Sequence, residues 1–289
     1  MKKLLTVWVI VLFFLPAEGK GLSSRSVRIE TAAGSMKMIV LQPREAEGPV
    51  PGILWIHGGG YMTGGSYMVH VSCGKMLAER YGAVVVSPAY RLSGKAPYPA
   101  ALEDCYAALE WMFAHADELG IDRTRIVVGG ESAGGGLTAA VCLYARDQGE
   151  IPIALQLPLY PMLDSEDTES SADNQGKIWN TRKNHRAWKR YLGALYGTDE
   201  VPSYASPARE TDYSGLPPCY TYVLDGEPFY AETLAYVKNL QDAGVDAKVD
   251  VFHGDVHAFD GYLFWQEQSK LAKQRLCEEY EHVIMKRGE

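Results

Sequence analysis

Residues 126–136 read IVVGGESAGGG and constrain the fold more than any other stretch of this chain. Ile126, Val127 and Val128 are typical of a buried strand, and residues 137–144 form a mostly apolar helical pattern. The turn between them contains a G-x-S-x-G at 130–134, with Ser132 at its centre. Small neighbours at a sharp strand-to-helix turn avoid Cβ clashes and leave the serine hydroxyl exposed at the end of the strand. The pattern therefore predicts a nucleophilic serine on an α/β scaffold.

The rest of the chain alternates short apolar runs with longer helical patterns. Strands are predicted at 26–30, 36–41, 53–56, 83–86, 126–128, 154–157, 220–224 and 247–252, and helices at 73–81, 99–119, 137–147, 231–243 and 266–286. This alternation predicts an α/β fold, with a mostly parallel central sheet covered by helices on both faces. Ligands of such sheets bind at the carboxyl ends of the strands. We expect one domain over residues 20–289.

Residues 160–217 interrupt the alternation, since no strand pattern occurs there. An insertion of this length in a compact domain is usually a lid or a binding element, so we interpret it as a small cap. Its aromatic residues suit an apolar pocket for substrate, but they could equally form the core of the insertion itself. They are Tyr160, Trp179, Trp188, Tyr191, Tyr196 and Tyr204.

The amino-terminal residues have a different character. Lys2 and Lys3 precede an apolar run at 4–15, which is followed by Pro16, Ala17 and Gly19. This order predicts a signal peptide over residues 1–19 and export to the periplasm or the medium. The apolar run is short for a stable membrane span. An uncleaved anchor, or an apolar helix packed on the domain, is the alternative interpretation.

Charge and cysteine content exclude several classes of function. The formal net charge of −8 argues against a nucleic-acid partner, and the basic residues at 182–183 and 189–190 are interpreted as a solvated helix face. The five cysteines have no metal-binding spacing and are odd in number, so buried free thiols are expected. No metal site is predicted.

A serine nucleophile requires a base, and the base requires an orienting acid. On this scaffold both follow the serine in the chain, on loops after later strands. The last predicted strand leads into His253 and His257, and we favour His257 because it lies at the tip of the loop. The preceding strand leads into Asp225 and Glu227. Spacing alone leaves either carboxylate open as the acid.

An oxyanion intermediate requires backbone donors, and a second glycine run supplies candidates. The strand at 53–56 ends in His57, Gly58, Gly59, Gly60 and Tyr61. Glycines allow backbone N–H groups to approach a substrate closely, and Ala133 follows the nucleophile as a further donor. His57 is interpreted as an architectural hydrogen bonder. A phosphate loop is not favoured, because no Lys-Ser/Thr pair follows Gly60.

Together these motifs resemble the hormone-sensitive-lipase-like family of α/β-hydrolase esterases over roughly residues 50–262. The motifs that carry the resemblance are HGGG at 57–60, Tyr90-Arg91-Leu92, Asp104, Asp122 with Arg125, GESAGG at 130–135, Ser206-Pro207, Gly215-Leu216-Pro217-Pro218 and His257. The resemblance implies carboxylic ester hydrolysis by Ser132 and His257, an oxyanion hole at Gly58, Gly59, Gly60 and Ala133, and no cofactor.

The resemblance also indicates which carboxylate is the acid. The family places its acid directly before a proline in a D-P-L-like motif, which here is Glu227-Pro228-Phe229. Glu227 is therefore expected to orient His257, with Asp225 as the alternative because the usual residue is Asp. Glu131 also stands where Asp is commoner. The segment before the HGGG strand is short, and we expect a correspondingly open pocket.

The predicted function is a serine carboxylesterase that hydrolyses small or short-acyl esters through an acyl-enzyme intermediate. A small-molecule ester is the expected partner, and the sequence makes no prediction of the oligomeric state. An amidase or formamidase could use the same residues on a C–N bond. A ligand-binding α/β-hydrolase without activity is disfavoured, because serine, histidine and a carboxylate are all present.

Overall fold

A computed structural model describes residues 21–286 and shows one eight-stranded sheet; the predicted signal peptide lies outside the described residues. The strands are β1 (Leu22–Thr31), β2 (Gly34–Pro43), β3 (Val50–Ile56), β4 (Val84–Pro88), β5 (Ile121–Glu131), β6 (Leu155–Leu159), β7 (Cys219–Leu224) and β8 (Ala247–Phe252). Their order is β1-β2-β4-β3-β5-β6-β7-β8. The β1–β2 and β2–β4 pairs are antiparallel, and the other pairs are parallel. The predicted α/β fold with a mostly parallel sheet is confirmed.

Helices cover both faces of this sheet. They are α1 (Cys73–Tyr81), α2 (Ala100–Ala114), α3 (Ala116–Leu119), α4 (Ala133–Gln148), α5 (Thr181–Leu192), α6 (Tyr230–Asp242), α7 (Phe259–Tyr262) and α8 (Glu267–Tyr280). Short 3-10 turns occupy Ser66–Val71, Gly193–Leu195 and Pro207–Arg209. One core cluster contains apolar residues of α2, α4, α5 and α6, and a second contains those of α1 and α8. The two clusters lie on opposite faces of the sheet.

The central strands read as continuous apolar runs because both of their faces are buried. Leu54 and Ile56 pack in the first cluster, while Ile53 and Trp55 pack in the second. Successive side chains of a strand point to opposite faces, which divides the run between the two clusters. Because β3, β5, β7 and β8 run parallel, their carboxyl ends lie at the same end of the sheet, where the candidate site is found.

Three predicted helix boundaries are wrong. The helix expected over 99–119 breaks at His115, where the imidazole Nδ1 lies 2.8 Å from the Trp111 carbonyl oxygen. The helix expected over 266–286 ends as an α-helix at Tyr280 and widens into a π-turn, closed by a hydrogen bond from Lys286 N to Glu281 O. The helix expected from residue 137 begins at Ala133, because it includes three glycines that the sequence assigned to the turn.

The insertion at 160–217 contains α5 and two of the 3-10 turns, and no strand lies within these described residues. Its aromatic residues differ in burial. Tyr160, Trp188 and Tyr191 are fully buried in the core, whereas Trp179 is half-buried and packs near His257. The burial of the first three side chains agrees with a core of the insertion, and the substrate pocket remains a prediction. Within residues 21–286, no helix has the combination of length and apolar character that is needed to cross a membrane.

Candidate active site

Ser132 lies at the junction of β5 and α4 with a backbone conformation that L-residues rarely adopt, at φ 58° and ψ −119°. The surrounding glycines explain how the turn is accommodated. A Cβ on Gly130 would lie 2.6 Å from the Ile56 carbonyl oxygen, and a Cβ on Gly134 would lie 2.6 Å from the His57 carbonyl oxygen. The backbone N–H of Ser132 donates to Leu159 O at 3.0 Å, and the carbonyl oxygen of Ser132 accepts from Met162 N at 3.1 Å. The strand-to-helix turn predicted from the sequence is thus present, with its serine side chain at the strand end.

His257 brings together the residues that the sequence placed on separate loops. Its Nε2 lies 2.8 Å from Ser132 Oγ, and its Nδ1 is hydrogen-bonded to Glu227 Oε2. A carboxylate beside Nδ1 fixes the proton on that nitrogen and leaves the Nε2 lone pair to accept from the serine hydroxyl. The arrangement has the contacts of a nucleophile, a general base and an orienting acid.

Glu227 is held rigidly behind the imidazole. Its side chain is fully buried, and Oε1 accepts a hydrogen bond of 3.0 Å from Leu224 N at the end of β7. One carboxylate oxygen is therefore anchored to the strand while the other faces His257. Tyr160 and Phe229 contact the imidazole edge to face, with ring centroids 5.2 Å and 5.0 Å away. These contacts fix the plane of the imidazole.

Asp225, the alternative acid, forms a separate pair on the surface. Its Oδ2 lies 2.8 Å from His253 Nδ1, and Oδ1 accepts from Gly254 N at 3.0 Å. The hydrogen bond from Gly254 and the neighbouring His253 lower the pKa of the Asp225 carboxyl below its ordinary value. The side chains of His253 and Asp225 are 94% and 39% exposed, so this pair lies at the surface, while Ser132 is bonded to His257 instead.

The glycine loop after β3 lies beside the serine. A Cβ on Gly58 would lie 2.9 Å from Glu131 O and 3.4 Å from Ser132 Cβ, which shows how closely the two loops approach. Gly59 and Gly60 have positive φ angles of 116° and 59°. No residue between 21 and 286 accepts a backbone hydrogen bond from the N–H of Gly58, Gly59 or Gly60. Ala133 is the first residue of α4, where N–H groups have no partner within the helix.

His57 supports this loop from behind. Its Nδ1 lies 2.7 Å from Gly58 O, and its ring stacks on Tyr90 at a centroid distance of 4.2 Å. Burial lowers the pKa of His57 to about 4, so the imidazole is neutral at pH 7. Tyr90 OH donates to His57 O at 2.9 Å. These contacts fit the architectural interpretation of His57.

Two features near the serine were missed by sequence reasoning. Glu131 accepts from Cys73 N at 3.2 Å, and burial, with a smaller contribution from Asp260, raises the pKa of its carboxyl to about 7. The indole of Trp179 packs against Gly60, as shown by the distance of 3.1 Å between its Cζ2 and the position that a Cβ on Gly60 would take. The sequence marked Trp179 only as one aromatic residue of an insertion. Its contact with the glycine loop depends on how the chain folds back.

An open groove of about 940 Å³ lies elsewhere, between the β1–β2 turn, α2 and the insertion. Tyr98, Tyr106, Trp111 and Tyr204 are among the residues that line it. None of the residues predicted to act in the site lines this groove. Ser132 and His257 are only 8% and 4% exposed, so both side chains lie largely below the surface.

This fold and this grouping of serine, histidine and glutamate define an α/β-hydrolase. Residues 53–261 match the model of a protein family whose description is "alpha/beta hydrolase fold". "Esterase LipI" of Mycobacterium tuberculosis is 35% identical over 76% of this chain and 68% of its own length. "Carboxylesterase NlhH" of the same species is 33% identical, over 73% of this chain and 66% of its own length.

A solved structure of a "Bacterial Heroin Esterase" superimposes with a TM-score of 0.87 at 35% identity, and the match covers 91% of this chain and 85% of that one. The chain belongs to the hormone-sensitive-lipase-like family of α/β-hydrolase esterases. The predictions of a serine carboxylesterase and of a carboxylic ester hydrolase are confirmed. The amidase alternative is not favoured, because these relatives are named esterases.

Proposed function

We propose that Ser132, His257 and Glu227 are the catalytic triad of this esterase. His257 Nε2 takes the proton of Ser132 Oγ as that oxygen bonds to the ester carbonyl carbon. The carbonyl π electrons move to oxygen and form a tetrahedral oxyanion. When the C–O bond to the alcohol breaks, His257 returns the proton to the leaving oxygen. Water then attacks the acyl-serine by the same steps, and the acid and the free serine are released.

In this mechanism, Gly58, Gly59, Gly60 and Ala133 form the oxyanion hole. Support comes from the glycine N–H groups without backbone acceptors among the described residues, and from Ala133 at the first position of α4. The positive end of the α4 dipole also favours negative charge beside Ser132. Donors that are already oriented stabilise charge as it develops, and removal of one typically costs about a hundredfold to a thousandfold in kcat.

The function proposed for the site is hydrolysis of small or short-acyl carboxylic esters, with the insertion at 160–217 acting as a cap. The observation that carries it is the unbroken chain of contacts from Glu227 through His257 to Ser132. A screen of p-nitrophenyl esters of increasing acyl length, run beside acetylated xylo-oligosaccharides, tests the substrate class. We expect the highest kcat/KM for short acyl groups, and a preference for long chains would contradict the proposal.

Covalent labelling tests the nucleophile independently of the substrate. A fluorophosphonate should phosphonylate Ser132 Oγ and release fluoride, and peptide mass spectrometry should locate the adduct at 132. Labelling of another serine, or none in an enzyme that hydrolyses p-nitrophenyl acetate, would contradict the assignment.

Export remains a separate proposal that rests on the sequence of residues 1–19. The positive amino terminus, the apolar run and the small residues before Lys20 support it. Mass spectrometry of the protein from its native cell should find a mature chain that begins near Lys20. An intact amino terminus in a cytosolic fraction would overturn the proposal.

A further inference from the structure

Three aromatic residues surround the imidazole of His257, but they differ in their access to solvent. Tyr160 is 2% exposed and Phe229 is completely buried. Trp179 is half-buried, and its ring centroid lies 6.3 Å from that of His257. Among these three, Trp179 is therefore the one with an indole surface free to contact a substrate.

The same indole closes the site on the side of the glycine loop. A Cβ on Gly60 would overlap Trp179 Cη2, and the Cζ2 and Cζ3 atoms lie 3.1 Å and 3.2 Å from that position. The benzenoid edge thus packs directly against the backbone that is proposed to hold the oxyanion. No side chain larger than hydrogen at residue 60 fits beneath it.

Hydrogen bonds hold Trp179 as a fixed wall. Its Nε1 donates to Oδ1 of the buried Asn184 at 3.2 Å. Lys183 Nζ donates to Ile178 O at 2.6 Å, which fixes the residue before the indole. On the other side of the segment, Asn174 Nδ2 donates to Gly226 O at 3.1 Å, next to Glu227.

Ser170 fastens the insertion to the same acid loop. Its Oγ donates to Pro228 O at 2.7 Å and accepts from Ala231 N at 3.0 Å. The segment that carries Trp179 is therefore bonded to the loop of the acid, while its indole packs on the loop of the oxyanion. Contacts with the acid loop on one side and with the glycine loop on the other thus fix the position of the indole relative to Ser132.

The direction of the reaction indicates which part of the ester meets this wall. The leaving alcohol must face His257 Nε2 to receive its proton, and the carbonyl oxygen must face the glycine N–H groups. The acyl chain takes the remaining direction, away from the imidazole, and the indole that packs against Gly60 lies beside the loop where the carbonyl group is held. We propose that Trp179 sets the length of the acyl chain that this esterase accepts, an inference that rests on the proposed triad.

Two substrate series measured on four proteins test this assignment. One series lengthens the acyl group of p-nitrophenyl esters from acetate to octanoate, and the other lengthens the alcohol of acetate esters. The proteins are the wild type, Trp179→Ala, Trp179→Phe and, as a matched control, Trp265→Ala, which removes an exposed indole from the turn before α8. The thermal midpoint of each variant establishes that it is folded.

We expect Trp179→Ala to raise the octanoate-to-acetate ratio of kcat/KM by at least about tenfold, because a pocket wall discriminates by this much for added methylenes. Trp179→Phe should raise the ratio less, and Trp265→Ala should leave it unchanged. In the alcohol series, the three variants should show the same dependence of kcat/KM on alcohol length as the wild type.

Four results would overturn the proposal, and the first three are an unchanged acyl profile, a change confined to the alcohol series, and the same shift in Trp265→Ala. A loss of turnover that is equal for every ester in both Trp179 variants would also contradict it, since the indole would then support the glycine loop without selecting substrate. Failure of the proposed function looks different, because the wild type would then fail to turn over acetate esters or Ser132→Ala would retain activity.

Discussion

Asp225 Oδ2 lies 2.8 Å from His253 Nδ1, and this pair lies beside a second carboxylate–imidazole pair formed by Glu227 and His257. Both pairs join the loop after β7 to the loop after β8. They differ in burial, because His253 is 94% exposed while Glu227 is fully buried. The two carboxylates that the sequence left open therefore have different partners, and only the second pair reaches Ser132.

Replacing the proposed nucleophile, Ser132, should separate catalysis from folding. Ser132 Oγ contacts the imidazole of His257, and its removal leaves the backbone hydrogen bonds of Ser132 intact. We expect Ser132→Ala to lower kcat by about 10⁶, as seen for a comparable nucleophile, with a nearly unchanged thermal midpoint. Steady-state hydrolysis of p-nitrophenyl acetate and calorimetry measure the two quantities. Retained turnover in the purified variant would remove Ser132 from the mechanism.

Glu131 should make the folded state sensitive to pH. Its pKa is raised by burial to about 7 from an ordinary value of 4.5, so the folded chain binds this proton more tightly than the unfolded chain does. The stabilising contribution is complete below pH 4.5 and is lost as the pH rises to about 7. Glu131→Gln keeps an acceptor for Cys73 N, and it should be more stable than the wild type at pH 8.

Urea unfolding at pH 5 and pH 8 measures this effect. The difference in midpoint between Glu131→Gln and the wild type should be larger at pH 8. Glu278→Gln, on the exposed surface of α8, serves as a control for the loss of one negative charge. An equal difference at both pH values would mean that Glu131 is ionised throughout this range.

Tyr61 should hold the glycine loop in its conformation. The residue has a φ of 58°, its ring stacks on Tyr191 of α5 at 3.9 Å, and its hydroxyl donates to Met162 O at 3.2 Å. Tyr61→Phe keeps the stacked ring and should cost about 1 kcal/mol of unfolding free energy. Tyr61→Ala should cost about 3–5 kcal/mol and also lower kcat, because Gly60 loses its support. A destabilised Tyr61→Ala with wild-type kcat would show that the loop holds its shape alone.

The sequence predicted the sheet because its strands have a strong local signal. In β3, β4 and β5 apolar residues are buried on both faces, and such runs are recognisable without knowledge of the neighbours. On this scaffold the serine, the acid and the histidine follow one another in the chain, so the strand after which each should lie could also be predicted. The existence and chain order of the strands could therefore be predicted, whereas their bounds could not, since β5 was expected over 126–128 and spans Ile121–Glu131.

The start of α4 could not be predicted, because local propensity and tertiary packing disagree there. Gly134, Gly135 and Gly136 are poor helix formers, which favoured a helix beginning at residue 137. In the structure they are helical, and their packing requires glycine, because Cβ atoms at these positions would crowd the carbonyl oxygens of Ile56, Leu159 and Met162. The contact of Trp179 with Gly60 could not be predicted for a related reason. It depends on tertiary packing, since Gly60 lies more than a hundred residues earlier in the chain.

The choice of acid gives the sharpest test of the site. Glu227 Oε2 is hydrogen-bonded to His257 Nδ1, while Oε1 is anchored by Leu224 N at 3.0 Å. Glu227→Gln removes the negative charge that stabilises the imidazolium, and its amide can present an N–H to Nδ1 and select the wrong tautomer. We therefore expect kcat to fall by about 10⁴, the loss measured when a triad aspartate becomes asparagine.

Asp225→Asn is the matched control, because it removes the charge of the neighbouring carboxylate on the same loop. Its Oδ1 can still accept from Gly254 N, and its partner His253 is exposed, so kcat should remain close to that of the wild type. Glu227→Asp should keep partial activity, since the charge survives while the shorter side chain no longer reaches both Leu224 N and His257 Nδ1. Steady-state kinetics of the three variants on p-nitrophenyl acetate decide the matter. If Asp225→Asn is the crippled enzyme and Glu227→Gln turns over normally, the acid is Asp225 and the buried pair is structural.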